Sequence, residues 1–380
     1  MLIAEAMLRP DNCNAQATAE NNQQWQLIAR LPASAGAGKN NGLAGMYGAA
    51  IPEGVLLAGG SDFPDKMPWQ GGTKAYYNQL FLLTEDRGHF DCRLLKDTLP
   101  LPMAYGASIP VPGGALFIGG ENTAGPLNKV LFLQFDSVTD KIHIKELPGL
   151  PEKLSHLSAT ILHQKIYTVG GEGKAGTTTC FFSMDLSHPQ PKWKKEKDLP
   201  LPLAFAVTVS ERHSGVDYVY VIGGRSATDS GISTLQGAVY RFNTITNNWG
   251  QIAMVPSETG HLSAAAGVSL GDDQILVIGG DDGVIFSQIE NLNRRIAMAK
   301  DDQTKRAYEK EKMKLVLDHP GFSKHAWIFD SDKTVWKPAG ILPYAPVTTT
   351  AILWQKYIIL PGGEIHPGIR SANIMLGKLH

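Results

Sequence analysis

The sequence predicts an all-β protein with the architecture of a six-bladed β-propeller. Six glycine pairs recur along the 380 residues, and each follows a short apolar run of the kind that forms a buried strand. The pairs begin 60, 51, 53, 56 and 83 residues apart, so a unit of roughly 50 residues is repeated. Further short strands and turn signals complete each unit as a four-stranded blade. The six pairs are Gly59-Gly60, Gly119-Gly120, Gly170-Gly171, Gly223-Gly224, Gly279-Gly280 and Gly362-Gly363.

The other strands of the blade are recognisable around the glycine pair. Mixed apolar and small residues precede it, as in 155–162 and 261–270, and another apolar run follows it, as in 130–135 and 238–242. Units of this length whose second strand ends on a glycine pair are typical of kelch repeats. Since single blades cannot bury their own faces, we interpret residues 24–380 as one kelch-type propeller. The tryptophans that open the predicted fourth strands are Trp193, Trp249 and Trp336.

The two ends of the chain each supply part of one blade. Residues 24–30 resemble the last strand of a blade, but no glycine pair precedes them. The final unit has its glycine pair and one more strand, 372–377, but it lacks a tryptophan strand. The sequence therefore predicts that 24–30 complete the C-terminal blade, which leaves no open sheet edge. Residues 1–23 are interpreted as an N-terminal extension that proteolytic processing could remove. Residues 1–8 differ from a signal peptide, because they carry an acidic residue and no basic segment.

The longest interval between glycine pairs predicts a helical insertion at about 287–324, in the fifth blade. Ile289, Leu292 and Ile296 recur at helical spacing, and Asp301-Asp302 interrupts the pattern, so one or two helices are expected. Two interpretations are open for this insertion. It is either a solvated decoration or a cap over the mouth of the propeller.

Composition excludes several classes of partner. The formal net charge is -1, so no global field recruits nucleic acid or an anionic membrane. No apolar run is long enough to span a bilayer. Cys13, Cys92 and Cys180 match no metal-binding spacing and are interpreted as small hydrophobic residues. The composition therefore argues against nucleic acid and membranes as partners.

The repeat also predicts where a small molecule binds. The loops after the glycine pairs and the starts of the first strands all open on one face, where they surround a concave mouth. Polar residues after the glycines include Ser61, Asp62, Asp281, Asp282 and Glu364, and those near the first strands include His156 and Tyr344. The side chains predicted to bind substrate are Arg225, Glu121, Tyr105, His261, Asn41 and Glu172.

The loop of the last blade has the most unusual chemistry. Glu364 and Arg370 flank a stiff turn at Pro367-Gly368, so both side chains can address one ligand. A carboxylate with a tuned pKa can act as a general base. An arginine offers a planar fork to a carboxylate substrate. The alternative is a surface ion pair across the turn.

Together, the repeats, the helical insertion and the Gly-Gly-Glu-x-x-Pro-Gly-x-Arg loop resemble the N-acetylneuraminate epimerase family, the sialic acid mutarotases of bacteria. The resemblance runs from about Trp25 to the C-terminus and includes Tyr105-Gly106 and Gly260-His261. It implies that Glu364 is the catalytic proton acceptor and that Arg370 is its functional partner. In familiar members the glutamate loop lies in mid-chain, whereas here it lies in the last blade, as in a cyclically permuted branch. Familiar members are periplasmic, and the resemblance implies the same location.

The resemblance implies an isomerase of carbohydrate metabolism. The expected reaction interconverts the α and β anomers of N-acetylneuraminate by acid-base opening of the sugar ring, without metal or redox cofactor. Three alternatives are open. The protein could act on another keto-sugar acid, or it could be a non-catalytic kelch module that binds a sugar or a protein. A copper radical oxidase would need a tyrosine-cysteine crosslink, for which the three cysteines show no context.

Overall fold

The computed structural model describes residues 25–33 and 39–378 and arranges them as six four-stranded antiparallel sheets. The first strands of neighbouring sheets contact each other in a closed ring, and the other three strands follow outward in each sheet. The predicted six-bladed propeller is therefore confirmed. The predicted extension 1–23 lies outside the described residues.

The first three blades share one plan, in which the glycine strand is second and almost wholly buried between its neighbours. The strands of the first blade are Tyr47–Ile51, Gly54–Ala58, Gln79–Asp86 and His89–Thr98. Those of the second blade are Ala107–Val111, Gly114–Ile118, Val130–Asp136 and Lys141–Glu146. Those of the third blade are Ser158–Leu162, Lys165–Val169, Phe181–Asp185 and Trp193–Lys195.

The last three blades follow the same plan, but the sixth takes its outer strand from the beginning of the chain. The strands of the fourth blade are Val207–His213, Val216–Ile222, Ala238–Asn243 and Asn248–Met254. Those of the fifth blade are Ala266–Gly271, Gln274–Ile278, His325–Asp330 and Val335–Ile341. Those of the sixth blade are Ile352–Trp354, Tyr357–Pro361, Asn373–Lys378 and Trp25–Arg30.

Five blades carry a short two-stranded ribbon after the glycine pair, on the face where a ligand is expected. A single turn of 3-10 helix, Pro68–Gln70, lies in the loop of the first ribbon. The ribbons are Ser61–Asp62 with Ala75–Tyr76, Glu121–Asn122 with Gly125–Pro126, Glu172–Gly173 with Gly176–Thr177, Arg225–Ser226 with Thr234–Leu235, and Glu364–His366 with Ile369–Arg370.

A ring of backbone hydrogen bonds joins the six blades around the central axis. A residue two positions before each first strand, or four positions before it in the sixth blade, has a left-handed backbone. Its N–H donates to the carbonyl of the equivalent residue in the preceding blade. The bond from Gly45 to Thr348 joins the first blade to the sixth, so the ring is continuous. The bonds measure between 2.7 and 3.2 Å. We call these six residues the inner ring: Gly45, Tyr105, His156, Phe205, Ala264 and Thr348.

The glycine pairs are required because the next blade packs directly against them. All twelve glycines have φ values between 57° and 106°, in the left-handed region that side chains disfavour. In the fourth blade, a β-carbon on Gly223 would overlap the carbonyl oxygen of Leu262 in the fifth blade. The N–H of Gly224 donates to that same oxygen at 2.7 Å. The glycine pair thus forms the joint between two blades.

Replacing Gly223 with Ala is expected to destabilise the protein by about 3 kcal/mol or more, since left-handed strain adds to a collision with the neighbouring backbone. Gly215 is the matched control, because it has φ 81° but no neighbouring atom lies within 4 Å of the place that a β-carbon would take. Gly215→Ala should therefore cost only about 1 kcal/mol of strain. Urea unfolding measures the stability of both variants. Equal losses of stability would contradict the claim that Gly223 packs directly against the next blade.

Tryptophan side chains fasten the outer strand of one blade to the preceding blade. Each indole N–H donates to a backbone carbonyl near the outer end of that neighbour, at 2.8 to 2.9 Å. The predicted tryptophan of each fourth strand therefore both packs and bonds between blades. The pairs are Trp193 with Pro148, Trp249 with Lys197, and Trp336 with Met254.

The beginning of the chain closes the last blade, as predicted. Trp25–Arg30 pairs antiparallel with Asn373–Lys378 and supplies the fourth strand of the sixth blade. The N–H of Leu31 extends the pairing to the carbonyl of Ala372 at 2.7 Å. Segments from opposite ends of the chain therefore seal the ring.

The insertion in the fifth blade forms two antiparallel helices, α1 (Val284–Met298) and α2 (Asp302–Leu317). Helix α1 begins earlier than the predicted 287, because Gly283, three residues after the glycine pair, has a left-handed backbone and starts the helix. Asp301, which separates the two helices, caps the N-terminus of α2: its side chain accepts a hydrogen bond from the Thr304 N–H at 2.8 Å. Neither helix, nor any other helix in the described part of the chain, has the length and apolar character needed to cross a bilayer.

Candidate active site

The first residue after each glycine pair occupies an equivalent place around the mouth. Each of these residues forms an antiparallel bridge with the residue immediately before the inner-ring residue of its own blade. The predicted convergence of the glycine loops on one face follows from this repeated bridge. The six residues are Ser61, Glu121, Glu172, Arg225, Asp281 and Glu364.

A cavity of about 320 Å³ lies between these loops and the helical insertion. Its volume is at the lower end of the roughly 300–1,000 Å³ that is usual for ligand pockets. The charged groups that line it come from the fourth, fifth and sixth blades: Arg225, Asp281 and Glu364. The apolar side chains that cover it come from the insertion and its return segment: Phe286, Ile289, Val316 and Phe322. The insertion therefore caps the mouth, which decides between the two interpretations left open above.

The insertion is anchored to the blades on both sides. Glu290 of α1 accepts hydrogen bonds from the backbone N–H of Ser233 at 2.6 Å and from its hydroxyl at 2.9 Å. On the other side, a ring nitrogen of His366 in the sixth blade lies 3.1 Å from the carbonyl oxygen of His319. These contacts hold the cap in place over the cavity.

Glu364 faces this cavity and is held from two directions. Its Oε1 accepts the Gly368 N–H at 3.0 Å, so the Pro-Gly turn orients the carboxylate. Its Oε2 lies 2.7 Å from Nη1 of Arg370. Burial raises the pKa of Glu364 above its usual value, although Arg370, the Gly368 N–H and the Lys74 ammonium all favour the ionised form. A carboxylate with a raised pKa is a stronger base than an ordinary carboxylate, which suits it to general-base catalysis.

Arg370 is buried behind Glu364, yet it retains unused donors. Its Nη2 lies 3.5 Å from the Tyr105 hydroxyl, and its guanidinium lies 5.0 Å from the centre of the Phe63 ring. Its Nε and Nη1 make no hydrogen bond in the described part of the chain. Nη1 is close to Glu364 Oε2, but the N–H is not directed at that oxygen. Buried donors without acceptors are costly. This guanidinium lies behind Glu364 and does not line the cavity, so its nearest charged partner is the Glu364 carboxylate.

Arg225 sits on the opposite side of the cavity, between two aromatic rings. Its guanidinium lies 4.5 Å from the centre of the Phe205 ring and 5.2 Å from that of Phe286. Its Nη2 donates to Glu172 at 2.9 Å, and Nδ1 of His156 lies 3.0 Å from the other oxygen of Glu172. Burial alone would raise the pKa of Glu172, but His156 and Arg225 together lower it to about 2.

The pairing of Glu172 predicts an acid-dependent loss of stability. Because the folded-state pKa is lower than the ordinary 4.5, the stabilisation is present above pH 4.5 and is lost as the pH falls towards 2. The shift corresponds to at most about 3 kcal/mol. We expect Glu172→Gln to flatten the decline of the urea midpoint between pH 5 and 2.5. The exposed Glu309→Gln is the control and should retain the wild-type decline; identical curves for both variants would contradict the assignment.

Tyr105 and Glu121 lie together on the side of the second blade. Tyr105 belongs to the inner ring, and its hydroxyl accepts a hydrogen bond from Ser61 at 2.8 Å. Glu121 accepts the Tyr76 hydroxyl at 2.7 Å and lies 3.6 Å from the Lys74 ammonium. The same ammonium is 4.7 Å from the centre of the Tyr105 ring. The first blade thus supplies one more cation whose charge acts on Glu364.

Of the six predicted binding residues, only Arg225 lines the cavity. Glu172, Tyr105 and Glu121 contact other side chains around the mouth but not the cavity itself. The remaining two lie further apart. His261 is exposed and lines a neighbouring cleft with His319 and Asp282, because it precedes the inner-ring residue of its blade, Ala264, by three positions. Asn41 is exposed and makes no hydrogen bond to the cavity residues that the structure describes. The binding roles of all six residues remain predictions.

Several site residues were not among those predicted from the sequence. Phe205 and Thr348 occupy the inner ring, and a signal for Thr348 exists: four inner-ring residues lie 14 positions before their glycine pair. Phe205 departs from this offset because its first hairpin is longer. Lys74, Phe286 and His319 lie in loops or the insertion, where no repeat pattern marks them.

The described cysteines and carboxylates do not suggest a metal centre. Cys92 and Cys180 are buried free thiols, as expected of small hydrophobic residues. Within residues 25–33 and 39–378, no three histidine, cysteine, aspartate or glutamate groups are grouped as metal ligands.

Comparison with solved structures supports the fold. A chain described as the structure of YjhT matches with a TM-score of 0.59 and 16% sequence identity, covering 91% of this chain and 96% of that one. At this identity the likeness extends to the propeller fold alone.

Comparison with curated sequences finds relatives named N-acetylneuraminate epimerase. The protein of Salmonella typhimurium is 28% identical over 248 residues, which cover 62% of this chain and 59% of the relative. N-acetylneuraminate epimerase 1 of Escherichia coli O6:H1 is 26% identical over 239 residues, covering 61% and 60%. The match thus spans only about three fifths of the curated relatives.

The family comparison extends over nearly the whole sequence. The family model for N-acetylneuraminate epimerase matches residues 4–144 and 147–380. These segments include all six glycine pairs, the insertion and the loop that carries Glu364 and Arg370. On this evidence the chain belongs to the N-acetylneuraminate epimerase family.

Proposed function

We propose that this protein is a sialic acid mutarotase, an isomerase that accelerates interconversion of the α and β anomers of N-acetylneuraminate. The observation that carries the proposal is the Glu364 carboxylate, which lies in a capped cavity with a raised pKa and an arginine at 2.7 Å. Family membership supplies the substrate class. The substrate is a 2-keto sugar acid whose carboxylate is attached to the anomeric carbon.

Binding in this cavity uses Arg225 and the cap. Arg225 lines the cavity and offers its guanidinium to the substrate carboxylate. Arg370 lies 2.7 Å from Glu364 and favours the ionised form of that side chain. Because the carboxylate and the reacting hydroxyl share one carbon, fixing the former also positions the latter. The apolar side chains of the insertion and its return segment line the same cavity and lower its local polarity, which strengthens these charge interactions.

The reaction itself requires only proton transfers. Glu364 removes the proton of the anomeric hydroxyl, the bond from the anomeric carbon to the ring oxygen breaks, and the ring oxygen receives a proton. The open-chain keto acid then recloses through attack on the other face of its carbonyl. General acid-base catalysis of this kind contributes typically 10²–10⁴-fold.

Proton NMR of freshly released α-N-acetylneuraminate tests the proposal. The approach to anomeric equilibrium should be clearly faster with the protein than without it. No acceleration would contradict the proposed function, and the same measurement with other keto-sugar acids would then separate a different substrate from a binding module.

A periplasmic location is also proposed, on the family resemblance alone. Fractionation of the native host should recover the protein with periplasmic markers; recovery with cytoplasmic enzymes would contradict export.

A further inference from the structure

The proposed reaction leaves one proton without a source, because the ring oxygen needs an acid while Glu364 acts as the base. A second carboxyl group faces the same cavity from the adjacent blade. Asp281 follows the glycine pair of the fifth blade, as Glu364 follows that of the sixth, and both residues line the cavity beneath the cap. Equivalent places in neighbouring blades thus direct two carboxyl groups into one cavity.

The surroundings of Asp281 differ from those of the other acidic residues around the mouth. Glu121 contacts a tyrosine and a lysine, Glu172 contacts a histidine and an arginine, and Glu364 contacts an arginine. Asp281 contacts no cationic or hydroxyl side chain in the described residues. Its Oδ1 accepts the Gly283 N–H at 2.8 Å, which leaves Oδ2 available to carry a proton into the cavity.

We propose that Asp281 is the general acid of the mutarotase reaction and delivers the proton to the ring oxygen while Glu364 takes the proton of the anomeric hydroxyl. The two roles follow from charge placement. The guanidinium of Arg370 lies against Glu364 and favours its ionised form, whereas no cation in the described residues contacts Asp281. This inference rests on the proposed function.

Electrostatics supports the same division of roles. Burial raises the pKa of Asp281, and the charges of Asp282 and Glu364 raise it further, while the Gly283 N–H and Arg225 oppose the rise. His319 and His261 border the adjoining cleft on which Asp281 also opens. Two coupled carboxyl groups titrate as a pair, so the rate profile should show one acidic and one alkaline limb.

The proton balance closes without any co-reactant. On opening, Glu364 gains the hydroxyl proton and the carbonyl forms as the ring bond breaks, while Asp281 gives its proton to the ring oxygen. On reclosure, the freed hydroxyl attacks the other face of the carbonyl and returns its proton to Asp281. The new anomeric oxygen takes the proton from Glu364, and both side chains regain their starting states.

The test compares Asp281→Asn with Asp282→Asn in the anomerisation assay. Asparagine retains an oxygen for the Gly283 N–H, so the loop and the start of α1 should keep their conformation. We expect Asp281→Asn to lower kcat by about 10²–10⁴-fold and to remove the alkaline limb, with little change in KM. Asp282 does not line the 320 Å³ cavity, and its variant should retain near wild-type kcat at neutral pH.

Chemical rescue separates catalysis from a structural role. Formate added to Asp281→Ala should restore part of the lost rate, because a small acid can occupy the vacated place. Wild-type acceleration that persists unchanged in Asp281→Asn would overturn the assignment of Asp281 alone. Absent rescue, together with a lowered melting temperature in both variants, would also overturn it in favour of a structural role. Lack of acceleration by the wild-type protein would overturn the proposed function and this role together.

Discussion

Replacing Glu364 with Gln is expected to remove most of the catalytic acceleration, by about 10²–10⁴-fold, while the propeller stays folded. The amide oxygen can still accept the Gly368 N–H, so the loop should keep its shape. It cannot take a proton from the anomeric hydroxyl. NMR anomerisation rates, with substrate binding and thermal unfolding measured in parallel, check this expectation.

The pH dependence of the wild-type rate makes the same assignment testable without mutation. A base works only when it is deprotonated, so activity should fall as the pH drops through the pKa of Glu364. Because burial raises that pKa, the acidic limb should lie above the ordinary value of 4.5. The control variant Glu309→Gln, at an exposed position of α2, should leave the anomerisation rate and the acidic limb of its pH profile unchanged. A Glu364→Gln protein with the wild-type rate would refute the role of this residue.

Deleting residues 1–30 is expected to unfold the protein. The deletion removes Trp25–Arg30, the outer strand of the sixth blade, and exposes the edge of Asn373–Lys378. Ile374, Met375 and Leu376 of that strand are fully buried in the intact protein. An unpaired sheet edge beside such a core favours aggregation over a folded ring. Size-exclusion chromatography and thermal unfolding should show no cooperative monomer.

The control for this deletion removes residues 1–23 and keeps the closing strand. It should retain the melting temperature of the full chain, since the pairing of Trp25 with Gly377 and of Arg30 with Asn373 is preserved. A deletion of 1–30 that melts at the same temperature as this control would contradict closure by the N-terminal strand.

Features that repeat within the chain could be predicted from the sequence. The glycine pairs mark six blades because each pair needs a left-handed backbone and close contact with the next blade, and only glycine meets both demands. The closing strand could also be predicted, because one end of the chain lacked the strand that the other end supplied. The pairing of Glu364 with Arg370 is local, across one turn, and the sequence indicated it for that reason.

Contacts between blades depended on the tertiary structure. Arg225 pairs with Glu172 of the preceding blade, and Lys74 of the first blade reaches Glu121 of the second. Each contact joins residues about one repeat apart, and only the stacking angle of neighbouring blades decides whether their side chains meet. The same stacking directs Asp281 and Glu364 into one cavity.

The number of blades, the closure of the ring and the loop that carries Glu364 and Arg370 were predictable from the order of the amino acids, because each depends on backbone conformation or on the regular repeat. The position of the insertion over the mouth was not predictable in this way, because it depends on how the blades pack in three dimensions. Helical spacing in the sequence predicts that a helical insertion forms, but it does not show what the apolar face of the insertion contacts. In the folded protein that face lines the cavity together with residues of the fourth, fifth and sixth blades.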